Sequence, residues 1–238
     1  MRPFTPETEN IILWITIFIE IVKFSMLIFL GVKIRRRRKE GLELASAFLK
    51  AMWILIFTLF VSRLFYMYFD FYLTHFDMDT YAANAMWWKV AQFIIGCGLA
   101  YIVFVIDRKI LSFKLKGIFA YIIIAGSIFM ILWPVNTTDD FAAMSTMSIL
   151  PQLGMLVLFI VFLNIAIKAS GRVRNTALII IFAFLLYTLA ALLVNAGVVS
   201  ALTSTIGPDA PIYLYIMQST LKTIGVVMMA AGAARWGN

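Results

Sequence analysis

The sequence predicts an all-α integral membrane protein: a single domain over residues 1–238, built as a bundle of seven transmembrane helices with the N-terminus outside and the C-terminus cytoplasmic. Three observations predict it. The chain is 63% hydrophobic and 13% charged, whereas a soluble domain carries about a quarter of its residues as charge and about half as apolar ones. Its apolar residues gather in stretches at approximately 11–32, 45–67, 85–106, 115–133, 147–168, 176–199 and 211–234, each read as long enough, at about 1.5 Å per residue, to cross roughly 30 Å of hydrocarbon. The net charge of +8 is segregated along the chain.

That segregation sets the orientation. The connections after the first, third and fifth stretches, together with the C-terminus, hold most of the bases, among them Lys33, Arg35, Arg36, Arg37, Arg38, Lys39, Lys50, Arg108, Lys109, Lys168, Arg172 and Arg235, against Glu40, Glu43 and Asp107. The alternate connections hold Arg2 against Glu7, Glu9, Asp70, Asp77, Asp79, Asp139, Asp140 and Asp209. Bases are retained on the cytoplasmic side, and only an odd number of spans gives this alternation. Residues 1–10 lack the short apolar core and small-residue site of a cleaved leader, so the first span is expected to insert the chain and stay. The expected location is the cell membrane, as a multi-pass protein.

Span one carries Thr16, Glu20 and Lys23 on one helical face, and a local Glu20–Lys23 pair would lower the insertion cost. The run Arg35, Arg36, Arg37 and Arg38 follows. It serves as a topology signal, attracts anionic lipid, and is the surface expected to face a cytoplasmic partner. Arg63 in span two and Lys89 in span three lie near outer ends, where long side chains snorkel. The loop between those spans has an H-x-D-x-D spacing at His75, Asp77 and Asp79. Its flanking aromatics, Tyr68, Phe69, Phe71, Tyr72 and Phe76, read as an interfacial segment rather than a metal site. Apart from Glu20 and the cytoplasmic Asp107, all acids are read as loop residues. Span three continues with Gln92, Gly96, the one cysteine, Cys97, and Gly98. A lone cysteine at that depth makes no internal disulfide.

Span six contributes Asn195, and span seven contributes Gln218, Lys222 and Gly225 in successive turns. Lys222 lies about 16 Å from the outer end of its helix, too deep to snorkel. Closing the ring makes spans one and seven neighbours, so Glu20 is the expected partner of Lys222. The bases, amides and Glu20 together suggest an outward-facing, net positive pocket built from Glu20, Arg63, Lys89, Gln92, Asn195, Gln218 and Lys222. Such a pocket suits a small anionic or lipid-like ligand. Spans one to three and five to seven each run helix, basic turn, helix, acidic connection, helix, which is compatible with a 3+1+3 parallel repeat.

The expectation from these features is a sensor or receptor-like module, signalling through a cytoplasmic or membrane partner. A small-solute transporter of 3+1+3 architecture and a structural subunit of a membrane complex are the alternatives, and homo-oligomerisation stays open. Membrane lipids are expected partners, and nucleic acid is not, because no groove-sized element or interleaved aromatics accompany the basic run. No enzyme is expected: there is no H-E-x-x-H, the single histidine is in a loop, and Ser62 and Ser219 have no evident base. Metal and cofactor are expected to be absent.

With its lysine in the middle of span seven, the topology resembles the microbial rhodopsins. That resemblance implies Lys222 as the attachment point of retinal. The chain departs from the family in span three, which offers Lys89 and Gln92 instead of a carboxylate counterion, and in span six, which reads Phe182, Phe184, Leu185, Leu186, Tyr187 without a proline. The size and topology also resemble the small 3+1+3 sugar transporters, whose paired prolines are missing here: span one has no internal proline and Pro151 is unmatched.

Overall fold

The computed structural model describes residues 4–41, 43–147, 149–193 and 210–236 with Leu202, Thr205 and Gly207, and side chains at all of these except 43–45, 149–153, 155 and 211. Among the described residues it is all helical. The first helix, α1 (Pro6–Lys39), is started by Thr5, whose hydroxyl accepts the Thr8 N–H at 3.3 Å, with Pro6 in the first turn. Glu7 and Glu9 lie at its N-terminus and Arg36 to Lys39 at its C-terminus, the charge order that the helix dipole favours. The second helix, α2 (Glu43–Met67), runs on into a π-helical segment, Tyr68–Thr74. His75 and Phe76, both left-handed with φ of 48° and 58°, end that segment.

A 3-10 turn (Met78–Thr80), capped by the Asp77 carboxylate, leads into α3 (Tyr81–Lys109). The chain then folds around Asp107, which is 2% exposed and accepts the N–H groups of Leu115 at 2.9 Å and Gly117 at 2.7 Å. Gly117, at φ +72°, starts α4 (Ile118–Leu132). The remaining helices are α5 (Thr138–Met147), α6 (Ile149–Lys168), α7 (Gly171–Leu193) and α8 (Ala210–Arg235). Helix α1 packs against α2 and α8, α2 against α3, α3 against α4 and α6, α4 against α6, α6 against α7, and α7 against α8.

The seven-span expectation is corrected here. The described residues form eight α-helices, and five stretches are long and apolar enough to cross a bilayer: Pro6–Lys39, Ser46–Thr74, Met78–Lys109, Gly171–Leu193 and Ile212–Arg235. Helix α4 has 15 residues, about 22 Å at 1.5 Å per residue. The stretch 115–133 counted Leu115, Lys116 and Gly117, which are bound up in the Asp107 loop, and Trp133, which is extended. Helix α6 has 20 residues, but its side chains are described without a break only over Leu156–Lys168, and it is not counted among the five. Helix α5 occupies part of what was read as an external connection. With five such stretches among the described residues rather than seven, the 3+1+3 repeat loses its basis.

Membrane character is written in the exposure pattern. On α1 the outward stripe is Trp14, Phe18, Ile21, Phe24, Ile28 and Val32, each at least 54% exposed, while Glu20 and Lys23 on the opposite face are 6% and 3% exposed. This inverts the arrangement of a soluble helix, and it suits a solvent that is itself hydrocarbon. The chain is a multi-helix protein embedded in, and passing several times through, a membrane.

Helices meet closely at small residues. A Cβ on Gly98 of α3 would come within 1.9 Å of Thr58 Oγ1 and 2.9 Å of Thr58 Cβ on α2, while one on Gly31 of α1 would meet nothing nearer than 3.8 Å. Gly98→Ala should therefore cost about 1–3 kcal/mol, read as a lower midpoint of thermal unfolding in detergent. Gly31→Ala should be neutral or gain up to about 1 kcal/mol from helix propensity. Equal effects of the two would show that α2 and α3 do not approach as described.

The entry to α5 gives a pH-dependent prediction. The exposed Asp140 carboxylate is held below its usual range by the Asn136 N–H, then by the Thr137 hydroxyl and N–H. A lowered folded value contributes stability above the unfolded carboxylate pKa of about 3.9, and that contribution disappears as pH falls through the folded value. Amide protection at Asn136 and Thr137, relative to Asp140→Asn, should be highest above about pH 4 and vanish in stronger acid. A difference unchanged down to about pH 2 would contradict it.

Candidate functional site

Charged side chains converge where α1, α2, the π segment, α7 and α8 meet. The spacing of Thr16, Glu20 and Lys23 puts them on one face of α1, and packing turns that face inward. Lys23 Nζ lies 2.6 Å from Glu20 Oε1 and also donates to the Leu59 carbonyl of α2 at 3.1 Å. Ser62 donates to the same carbonyl at 3.2 Å. Arg63 Nη2 donates to Thr16 Oγ1 at 3.2 Å, and its Nη1 stands 3.6 Å from Asp70 Oδ2. From α8, Lys222 Nζ approaches the Tyr187 ring of α7, 6.0 Å from its centroid. Glu20, Lys23, Arg63 and Asp70 are its electrostatic neighbours.

The π segment places Asp70 in this cluster. Asp70 was read as a loop acid, but the helix beginning in α2 continues through Thr74, so Arg63 and Asp70, seven residues apart, return to one face. That spacing is the sequence signal that could have found it.

Three cations thus meet two carboxylates, and two members are incompletely bonded. Glu20 Oε2 is closed off from solvent and accepts no hydrogen bond. Lys222 makes no hydrogen bond or ion pair among the described residues, its nearest aromatic contact being Tyr187. The direct Glu20–Lys222 pair is therefore replaced by Glu20–Lys23: the i,i+3 neighbour on the same helix reaches the carboxylate first.

The other expected residues are distributed differently. Gln92 reaches the edge of the cluster through the Tyr66 hydroxyl. Gln218 is buried one turn before Lys222. Lys89 stands apart, donating to the carbonyls of Trp133 and Ile131 and so capping the C-terminus of α4. Asn195 lies outside the described residues. In the basic run, Arg37 is 3% exposed and donates to the carbonyls of Trp236 at 2.7 Å and Ala234 at 2.9 Å, capping α8. Arg36 pairs with Glu40 at 3.0 Å, and Arg35 and Arg38 are exposed. His75 Nδ1 lies 3.2 Å from Glu9 Oε2, and no three metal-ligating side chains come together among the described residues.

The outer-half ligand pocket is also corrected. The two best-formed clefts both lie at the basic end: one of about 540 Å³ lined by Arg38, Lys50, Arg108 and Lys109 among others, and one of about 150 Å³ between Lys33, Arg36, Arg37 and Glu40. Neither touches Lys222. Lys222 is half-buried, and among the described residues charge is concentrated around it without lining either cleft.

No protein-family model, curated protein or solved structure matches the chain. With five span-length apolar stretches rather than seven, and no outer cleft among the described residues, the seven-helix receptor-like signalling expectation falls. The 3+1+3 transporter and rhodopsin-like readings, which need the seven-span frame, fall with it. What the fold and the cluster define is a class, a multi-pass helical membrane protein with a buried ionic centre.

The centre has a stability signature. Lys23→Met leaves Glu20 without its donor and should lower stability by about 3–5 kcal/mol, whereas Glu20→Gln combined with Lys23→Met should recover much of the loss. Lys222→Met, which breaks no direct bond, should cost less. Thermal unfolding of wild type, the two single variants of the pair, their double and Lys222→Met in one detergent measures this, and strict additivity of Glu20→Gln and Lys23→Met would remove the pair.

Proposed function

We propose that the protein is a membrane-embedded proton-exchange centre, with Lys222 as the exchanging group and Glu20 as the carboxylate that answers to it. The observation that carries this reading is the mismatch at the cluster: among the described residues Glu20 Oε2 is buried without a donor, and the Lys222 amine, within its electrostatic reach, has no acceptor. Counting formal charges, Lys23, Arg63 and Lys222 exceed Glu20 and Asp70 by one. Arg63 cannot lose its proton, and Lys23 is tied to Glu20 at 2.6 Å and to Leu59. Lys222 is the cation whose proton can leave without breaking a bond, and its departure leaves the cluster neutral. Intramembrane ionisable groups are rare, and proton relays are among the roles they mark.

This reading is non-catalytic. Ser62, the hydroxyl nearest the cluster, donates to a backbone carbonyl and is not poised against a base. We place the protein in the cell membrane with the basic end in the cytoplasm, on the strength of the segregated Lys and Arg.

Lysine labelled with 15N at Nζ, in protein held in lipid nanodiscs, tests the assignment. The resonance abolished by Lys222→Met should move as the pH of the bathing solution is scanned, and Glu20→Gln should displace that response. A Lys222 resonance that stays fixed throughout the scan overturns the proposal.

A further inference from the structure

The larger cleft at the basic end belongs to none of the machinery above. It is formed where three helix ends meet: Arg38 from the end of α1, Ser46 and Lys50 from the start of α2, and Tyr101, Arg108 and Lys109 from the end of α3. Four cations line a volume of about 540 Å³. All four are exposed, and none makes an ion pair or hydrogen bond among the described residues.

The nearby acids whose side chains are described are already committed. Both oxygens of Asp107 are held by the N–H groups of Leu115 and Gly117, and Glu40 is held by Arg36 at 3.0 Å. The described lining of the cleft therefore keeps its positive field. One wall is apolar, with Tyr101, Phe104 and Val105 leading along α3 into the hydrocarbon. A cavity with charge at the mouth and an apolar wall running into the bilayer matches a molecule with the same two parts. Convergent bases at the end of membrane helices provide such a seat for anionic head groups.

We propose that this cleft is a binding site for a phosphate-bearing head group. Arg38 and Arg108 supply planar donors suited to phosphate oxygens and Lys50 and Lys109 supply point charge. The phosphate source is an anionic phospholipid or a soluble phosphate compound, and the apolar wall favours the lipid.

The test is native mass spectrometry of the full chain released from detergent, with three additions in parallel: dioleoyl phosphatidic acid, dioleoyl phosphatidylcholine and glycerol 3-phosphate. Wild type should retain phosphatidic acid in preference to phosphatidylcholine, and Lys50→Gln with Arg108→Gln should lower that retention about tenfold. Arg35→Gln with Lys39→Gln removes two bases of the same end that do not line the cleft, and should leave retention unchanged. An unaltered thermal midpoint shows that each variant is folded. Retention of glycerol 3-phosphate as strongly as the lipid, lost in the same cleft variant, keeps the phosphate site and assigns a soluble source. Equal loss in both double variants, or equal retention of phosphatidylcholine, overturns the site and leaves only diffuse surface charge.

Discussion

A buried helix end presents carbonyl groups that neither water nor the next turn can satisfy, and in hydrocarbon each costs several kcal/mol if left alone. This chain meets that constraint with cations. Arg37 closes α8 through Ala234 and Trp236, Lys89 closes α4 through Trp133 and Ile131, and Lys23 bonds the Leu59 carbonyl within α2. Asp107 solves the complementary problem, gathering the N–H groups of Leu115 and Gly117 where α3 turns toward α4. The packing order of the helices depends on these few polar locks, because apolar side chains gain little by leaving lipid for one another.

The same constraint gives the buried charges different meanings. A cation that ends on a carbonyl has its position fixed and its chemistry spent. Lys222 differs because no hydrogen bond or ion pair among the described residues fixes it, and it comes from a helix whose neighbours bring Glu20, Arg63 and Asp70 within electrostatic reach. The basic end follows the same division. Arg37 is used up in capping, whereas Arg38, Lys50, Arg108 and Lys109 remain outside the locks.

The parts of the fold legible in the sequence were those set by composition and local spacing. Apolar stretches marked helices, and the 16, 20, 23 spacing marked the inward face of α1. The number of spans was not legible, because hydropathy at 115–133 does not reveal that Leu115 to Gly117 wrap around a carboxylate eight to ten residues back. Asp70 was missed because its aromatic surroundings look like an interfacial loop, and only the continuation of α2 through a π turn brings it under Arg63. The partner of Glu20 was placed on α8 by ring closure, and α1 does pack against α8. The lysine one turn away on α1 nevertheless holds the carboxylate.

All of these assignments rest on α1 facing lipid with Trp14, Phe18, Ile21, Phe24, Ile28 and Val32 while Glu20 and Lys23 face inward. Spin labels placed one at a time along residues 11–32 of the reconstituted protein measure this directly through their collision rates with oxygen. The account predicts a rate oscillating with a period of about 3.6 residues, with maxima at 14, 18, 21, 24, 28 and 32 and minima at 16, 19, 20, 23, 27 and 30. A flat profile, or maxima at 20 and 23, would contradict it and dissolve the buried ionic centre.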